Sequence, residues 1–507
     1  MSNHILYCFY DLSVSPPCYD CFEFMQTAEL HRKRYSLDGI YFIFVSGPKG
    51  GFRDDSFSRT IPQRYMLMRN VVIPACWLLP SCNGVSWLPS RDEISPILEN
   101  AEHVFPRGYT PQRPINDYLR AGQTSAYLRG EKLTQLQEPP EYTQMVSSFL
   151  ANKMKSQKLI TVTIRDAPYD DQRNTNLSEW SIFLRKLDPE EYKVIIIPDT
   201  FNLWSRGIKG FDYCEIASLN ILFRTALYRQ AYLNMLVAQG PCPAAFHSGS
   251  PILVFGPVNT DVASTKKWWQ KIESLEPDEH NQYAMFKVNQ RIAWGQETVE
   301  NIEEKFNKFI NDFSEIPKQP LEEHGIQSKR HSQLMCEAAL EYTAEKINFH
   351  QVIQEDIDTL EAIIKLDEKF IGAKHLLGMI ASNMGQYETA VQLFDNCIEL
   401  SNGGYRREII GRVQFQSDGS NPIEYRLLKA EALEKANNLE MALQEYLKIR
   451  EMDRENFGMS EKVLELDEKL KMIRKGCMFH DLNLVCFWMS NYSKCLRSHA
   501  LLVSSCY

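Results

Sequence analysis

Two arginines, an Asp-Thr pair and two closely spaced serines stand where an α/β chain would place a ligand. An alternating apolar run over residues 159–164 ends in Arg165, and the polar loop after it carries Asp170, Asp171, Gln172, Arg173 and Asn174. A second apolar run, 194–197, ends in Pro198-Asp199-Thr200, and a third short one, 244–246, leads into His247-Ser248-Gly249-Ser250. Runs with such flanks read as buried α/β strands, and open α/β sheets bind ligands outside the carboxyl ends of their strands. A guanidinium placed there grips phosphate through a fork of donors, and Ser248 and Ser250 with nearby backbone amides would hold phosphate or ribose oxygens. Arg165, Arg173, Asn174, Asp199, Thr200, His247, Ser248 and Ser250 thus form a candidate cradle for an anion, a nucleotide diphosphate first. Three of them also have a plainer account. Arg165 would pair with Asp166 or Asp170, Asp199 would cap a helix, and His247 would be a satisfied structural histidine.

A second constellation follows the apolar run 39–45. Ser46-Gly-Pro-Lys49-Gly50-Gly51-Phe52-Arg53 combines glycines that permit close backbone approach with the charges of Lys49 and Arg53. No Gly-Lys-Ser/Thr closes it, so it is not a Walker loop; it reads as a substrate loop, or as a surface turn. Asp54 and Asp55 follow at once, and either is a candidate general base toward an acceptor hydroxyl. Cys18 and Cys21 form a C-x-x-C at a helix start, the place for a redox pair, but incidental cysteines are the favoured account.

The elements that must position these residues alternate. Strands are expected over 5–10, 39–45, 71–79 (despite Pro74), 159–165 and 194–197. Helices are expected over 19–34, 142–155, 177–187 and 214–238. Asn176 with Glu179 resembles a capping box. At 507 residues the chain exceeds one core, and about two to four domains are expected. The boundaries read as a Rossmann-like domain over 1–157, a second over 158–316, a linker over 317–331, a helical repeat domain over 332–475 and a poorly ordered tail over 476–507. The fold class is α/β followed by all-α.

The repeat reading rests on register. Gly378, Gly385, Tyr387, Ala390, Phe394 and Ile398 match the small and large positions of a tetratricopeptide repeat, whose period is about 34 residues. One period earlier stand Leu360 and Ile364; one period plus a loop-rich insertion later stand Ala442 and Tyr446. Asp356-Ile-Asp358 in this region reads as a solvated pair. In the tail, Cys477, His480, Cys486 and Cys495 match no familiar metal spacing.

The net charge of -9 offers no basic face for nucleic acid. No run reaches the ~20 apolar residues of a membrane span, and residues 1–20 lack the pattern of a secretory signal. Thirteen scattered cysteines suit a reducing cytoplasm.

The segments VTIRD…QRN…W…L, VIIIPDT and AYLNMLVAQGPCPAAFHSGSPILVFG resemble the donor-binding half of GT-B glycosyltransferases, nearest to the fucosyltransferase-like branch. The chain also resembles bacterial proteins that join such a unit to tetratricopeptide repeats. In that branch strand ends supply a phosphate-binding arginine, an acidic residue with Ser/Thr, and serines at the nucleotide. Arg165, Asp199-Thr200 and Ser248/Ser250 occupy those places. A Gly-Asp usual there is replaced by Asp166-Ala167-Pro168. The resemblance implies two Rossmann-like domains and metal-independent transfer from a nucleotide-sugar co-substrate, a GDP-sugar being one candidate, with no separate cofactor. Arg165 would stabilise the departing diphosphate, with Arg173 as a second cation. The acceptor would be a glycan or a protein, and the repeats would bind it or a peptide partner. The alternative is a repeat scaffold whose α/β part has lost catalysis.

Overall fold

Apolar runs too continuous to alternate belong in parallel sheets covered on both faces, and two such sheets organise the first part of the chain. The computed structural model describes residues 4–54, 59–117, 120–168, 171–256, 258, 265–278, 280–314, 321–349, 352–402, 422–453 and 457–474. Asp55, Asp170, residues 317–320 and the tail with its Cys477, His480, Cys486 and Cys495 lie outside them. The first sheet holds β1 (Ile5–Asp11), β2 (Gly39–Val45), β3 (Cys82–Leu88) and β4 (His103–Phe105) in the order β3-β2-β1-β4, all parallel. The second holds β5 (Lys158–Thr163), β6 (Tyr192–Ile197), β7 (Asp212–Tyr213), β8 (Leu233–Val237), β9 (Ile252–Gly256) and β10 (Gln290–Trp294). Its order is β10-β9-β8-β5-β6-β7, again all parallel. That is the doubly wound order, which reverses between β5 and β8 and opens a crevice there.

One face of β5 sends Ile160 and Val162 against Trp180, Phe183 and Leu184 of the helix Leu177–Lys186 and Phe306 and Phe309 of Val299–Asp312. On the other face, Leu159, Ile195, Ile197, Leu236 and Val254 join one apolar cluster. It runs through Phe223 and Leu227 into Leu67, Val71, Phe22 and Phe24 of the first sheet's helices. The two sheets thus share a core.

Three expectations are corrected. Residues 71–79 are not a strand: the helix Ile61–Leu67 continues through a wider turn at Met68–Val72 into Ile73–Ala75 and Cys76–Leu78, and the third strand is β3. A short apolar run without alternation fits either element, and Pro74 directly follows the wider turn, where the Ile73 N–H bonds the Met68 carbonyl and the regular helical ladder is already interrupted. Residues 214–238 are not one long helix. The helix Ile221–Gln230 ends before Ala231, and Leu233–Val237 is a central, fully buried strand. Asn234 within it donates to the Tyr228 and Pro251 carbonyls and accepts from Thr161 Oγ1 at 2.6 Å, a cross-strand lock that local propensity does not announce. Residues 244–246 belong to the helix Cys242–His247.

The first compact unit covers Met1–Glu368 and so includes the helices Lys329–Phe349 and Gln354–Leu366. The Asp356–Asp358 pair is not solvated as expected: Asp356 is buried against Arg107 at 2.9 Å, and Asp358 pairs with Arg34. A second unit begins at Lys369. In it the helices Ile371–Asn383, Tyr387–Asn402, Pro422–Lys435, Leu439–Met452 and Phe457–Arg474 pack each on the next. A small residue at the crossing lets the first pair close: a Cβ on Gly378 would lie 2.7 Å from the Phe394 ring, and Ala381, Ala390 and Ala432 bury that ring. Gly378→Val should therefore lower the thermal stability of this unit by about 1–3 kcal/mol through overpacking. Melting followed by circular dichroism checks it, and an unchanged transition would refute the close crossing.

Candidate functional site

Because both sheets are parallel, their carboxyl ends and the loops leaving them gather on one side of each sheet. A cleft of about 410 Å³ opens there. From the first sheet it receives Asp20 and Glu23, which follow β1 at the head of the helix Cys21–Arg34. From the second it receives Arg173 and the turn Ala238-Gln239-Gly240 that leaves β8. Gln239 Nε2 donates to the Thr163 carbonyl at 2.9 Å, and Arg173 Nη2 to the Ala238 carbonyl at 3.2 Å, so the turn is tied to β5 and to the loop after it. A Cβ on Gly240 would come within 2.7 Å of the Tyr19 ring, and glycine there lets the loops of the two sheets touch.

A smaller pocket of about 70 Å³ adjoins the cleft and shares Gln239 and Gly240 with it. Arg165, Asp199 and Thr200 do converge here, as expected from the ends of β5 and β6. Arg165 is buried, and its guanidinium donates to Asn174 Oδ1. Asn174 also accepts from the Ala167 amide at 3.1 Å and donates to its carbonyl at 2.9 Å, so it shapes the loop that carries Arg165. Asp199 accepts from the Asp166 amide at 3.0 Å and the Phe201 amide at 2.8 Å. Its carboxylate closes a turn and does not cap a helix. Thr200 Oγ1 faces the Ser218 carbonyl at 3.4 Å.

Other expected site residues lie elsewhere. Ser248 and Ser250 are buried and bonded to each other at 2.8 Å. They precede β9, whose first residue pairs with Asn234 near the start of β8, so they occupy the amino edge of the sheet, opposite Arg165. The physical reason is the helix Cys242–His247, which carries the chain back across the sheet where a strand end was expected. His247 is likewise buried, its Nε2 3.3 Å from Glu23. The loop 46–54 folds on itself, with bridges Gly47–Gly51 and Lys49–Phe52 and positive φ at Gly50 and Gly51. Lys49 pairs with Asp54 in solvent, and Arg53 Nη1 bonds the Val14 carbonyl at 3.1 Å. None of Lys49, Gly50, Gly51, Arg53 and Asp54 lines the cleft or its smaller neighbour. The Cys18 thiol is pushed up to about 12 by burial and by Asp20, and burial likewise raises Cys21, which removes the thiolate a redox pair needs.

The cleft's walls hold what sequence reading passed over. Arg120 bonds Glu23 at 2.6 Å and Glu273 at 2.7 Å and lies 4.1 Å from the centre of the Tyr283 ring, whose hydroxyl donates to Glu273 at 2.6 Å. Burial alone would raise the Glu23 carboxyl, but Arg120 and His247 override it and hold it far below the carboxylate range. Asp20, half-buried, is raised by burial and by its neighbour Glu23, against a lowering bond from Cys18. Trp268 and Trp269 supply an aromatic wall. Asp20 was legible in principle, since it follows the first strand as Arg165 follows the fifth. The Gln239-Gly240 turn was hidden by reading 214–238 as a helix.

No protein-family model and no curated protein matches the chain. Among solved structures, a glycosyl transferase family 9 protein from Veillonella parvula overlaps 62% of this chain and 90% of its own, at 8% identity and a TM-score of 0.36. An E. coli ADP-heptose LPS heptosyltransferase II overlaps 61% and 99%, at 9% identity and 0.37. The N-terminal domain of stress-induced protein-1 from C. elegans overlaps 26% and 93%, at 17% identity and 0.21. Overlaps this loose leave the function to be read from the chain's own residues.

Removing Arg120 strands two carboxylates in the cleft wall. Arg120→Met should cost about 3–5 kcal/mol in urea unfolding, and a loss below about 0.5 kcal/mol would show that Glu23 and Glu273 are solvated after all. Glu23 also sets an acid limit. Its folded pKa is depressed, so the stability it contributes is complete above its unfolded value and is lost as pH falls below the ordinary carboxylate range.

Proposed function

We propose that the cleft binds a nucleotide-diphosphate sugar and transfers the sugar to a hydroxyl. The observation that carries this reading is that Arg173 and the Gln239-Gly240 turn stand at the reversal point between β5 and β8, facing a pKa-raised carboxyl, Asp20, from the other sheet. A diphosphate at the turn meets the Arg173 guanidinium, with Arg165 in the adjoining pocket adding positive potential as the leaving group gains charge. Trp268 offers a face on which a base stacks. Glu23 and Glu273 are already engaged by Arg120, which leaves Asp20 as the carboxylate to take the acceptor's proton. A base whose pKa is lifted toward the working pH is a better proton acceptor than an ordinary aspartate. The sequence resemblance to GT-B glycosyltransferases points the same way, and the helices from Lys369 onward, read as tetratricopeptide hairpins, would present acceptor or partner.

Titration calorimetry with GDP and UDP is the first test. One of them should bind, and Arg173→Ala should weaken it tenfold or more, about 1.4 kcal/mol, with Arg165→Ala acting in the same direction. Failure of both nucleotides to bind would sink the donor reading. Asp20→Asn should leave nucleotide affinity unchanged while lowering kcat by about 10²–10⁴. In the wild type the acid limb of the kcat/KM profile should lie above the ordinary aspartate value of about 3.9, because the base works only when ionised. A variant that keeps both rate and limb would remove Asp20 from the mechanism.

A further inference from the structure

The smaller pocket is lined by a buried charge that no carboxylate among the described residues bonds. Arg224, on the helix Ile221–Gln230, is 1% exposed and lines it. Nε donates to the Ala217 carbonyl at 2.6 Å and Nη1 to the Tyr228 hydroxyl at 3.4 Å. Among the described residues no carboxylate bonds it, and the one carboxylate in the pocket, Asp199, is engaged by two backbone amides. Buried guanidinium groups are ordinarily paired, because an unpaired buried charge is costly. Tyr19, 7% exposed, lines the same pocket, and its hydroxyl has no hydrogen-bond partner among the described residues. Burial raises its pKa, so it remains a neutral donor. Two buried donors thus border one small space.

Size and charge define what fits. About 70 Å³ is a little over two water volumes of ~30 Å³, enough for one tetrahedral oxyanion and far below the ~300 Å³ of a small-ligand site. Arg224 brings to this space a positive charge that no described carboxylate bonds, which suits an oxyanion.

We propose that this pocket is a subsite for a phosphate group, held by Arg224 and the Tyr19 hydroxyl and separate from the larger cleft. Resting on the transfer reading above, the group is a phosphate monoester carried by the acceptor. Tyr19 belongs to the loop that also carries Asp20, so an acceptor anchored there would have its hydroxyl delivered beside the base.

Calorimetric titration of the full chain with inorganic phosphate tests the subsite without any nucleotide, so it and the donor reading fail separately. Phosphate should bind. Arg224→Gln should weaken it tenfold or more, Tyr19→Phe threefold or more, and Arg173→Ala less than twofold. Glycerol phosphate, a monoester, should bind within tenfold of inorganic phosphate. Should Arg224→Gln fail to fold, Tyr19→Phe, which removes one oxygen, decides. No phosphate binding, or binding that Tyr19→Phe leaves unchanged, overturns the subsite. A loss in Arg173→Ala as large as in Arg224→Gln puts the anion in the larger cleft and overturns the separation. Rejection of glycerol phosphate with retention of the free ion overturns the acceptor assignment.

Discussion

A buried guanidinium holds the cleft together. Arg120 bonds Glu23, from the helix that follows the first strand, and Glu273, from the far end of the second sheet's domain, with Tyr283 beneath it. Each carboxylate would be costly to bury alone. Together with one shared cation they cross the boundary between two sheets that also meet through an apolar cluster and the Glu23–His247 contact. The apolar cluster that spans both sheets supplies the bulk of the attraction; the ionic group supplies direction, because its bonds form at one relative placement of Glu23 and Glu273.

That placement decides the chemistry available. With Glu23 and Glu273 committed to Arg120, Asp20 is the cleft carboxyl whose proton affinity burial has raised, while Arg173 faces it from the other sheet. A raised carboxyl and a cation thus reach the cleft from two different sheets. The same division recurs on a smaller scale in the adjoining pocket, where Tyr19 comes from the first sheet's loop and Arg165, Thr200 and Arg224 from the second.

The elements with unbroken local signals were readable from the chain. The runs 39–45, 159–164 and 194–197 are strands because β-branched and aromatic residues fill positions buried on both faces. Arg165 and Asp199 fall at strand ends because polar residues end such runs. Two errors share one cause. Residues 71–79 and 233–237 are short apolar runs of similar composition, yet one is helical and the other a central strand. The choice was made by partners far along the chain: Thr161 and Pro251 for Asn234, and the shared inter-sheet core for Val71 and Leu78.

By itself the sequence determined the alternation of elements, the parallel character of both sheets and the strand-end positions of Arg165 and Asp199, since these follow from patterns a few residues long. Tertiary structure alone decided which polar groups meet. It put Ser248 and Ser250 on the far edge, because a six-residue helix reverses the chain there, and it set His247 against Glu23. It made Asp199 close a turn by presenting two amides to it, and it brought Asp20, Arg120, Arg173 and Glu273 into one cleft. Charges separated by scores of residues acquire their proton affinities from burial and from one another, and those distances exist only once the two sheets have packed.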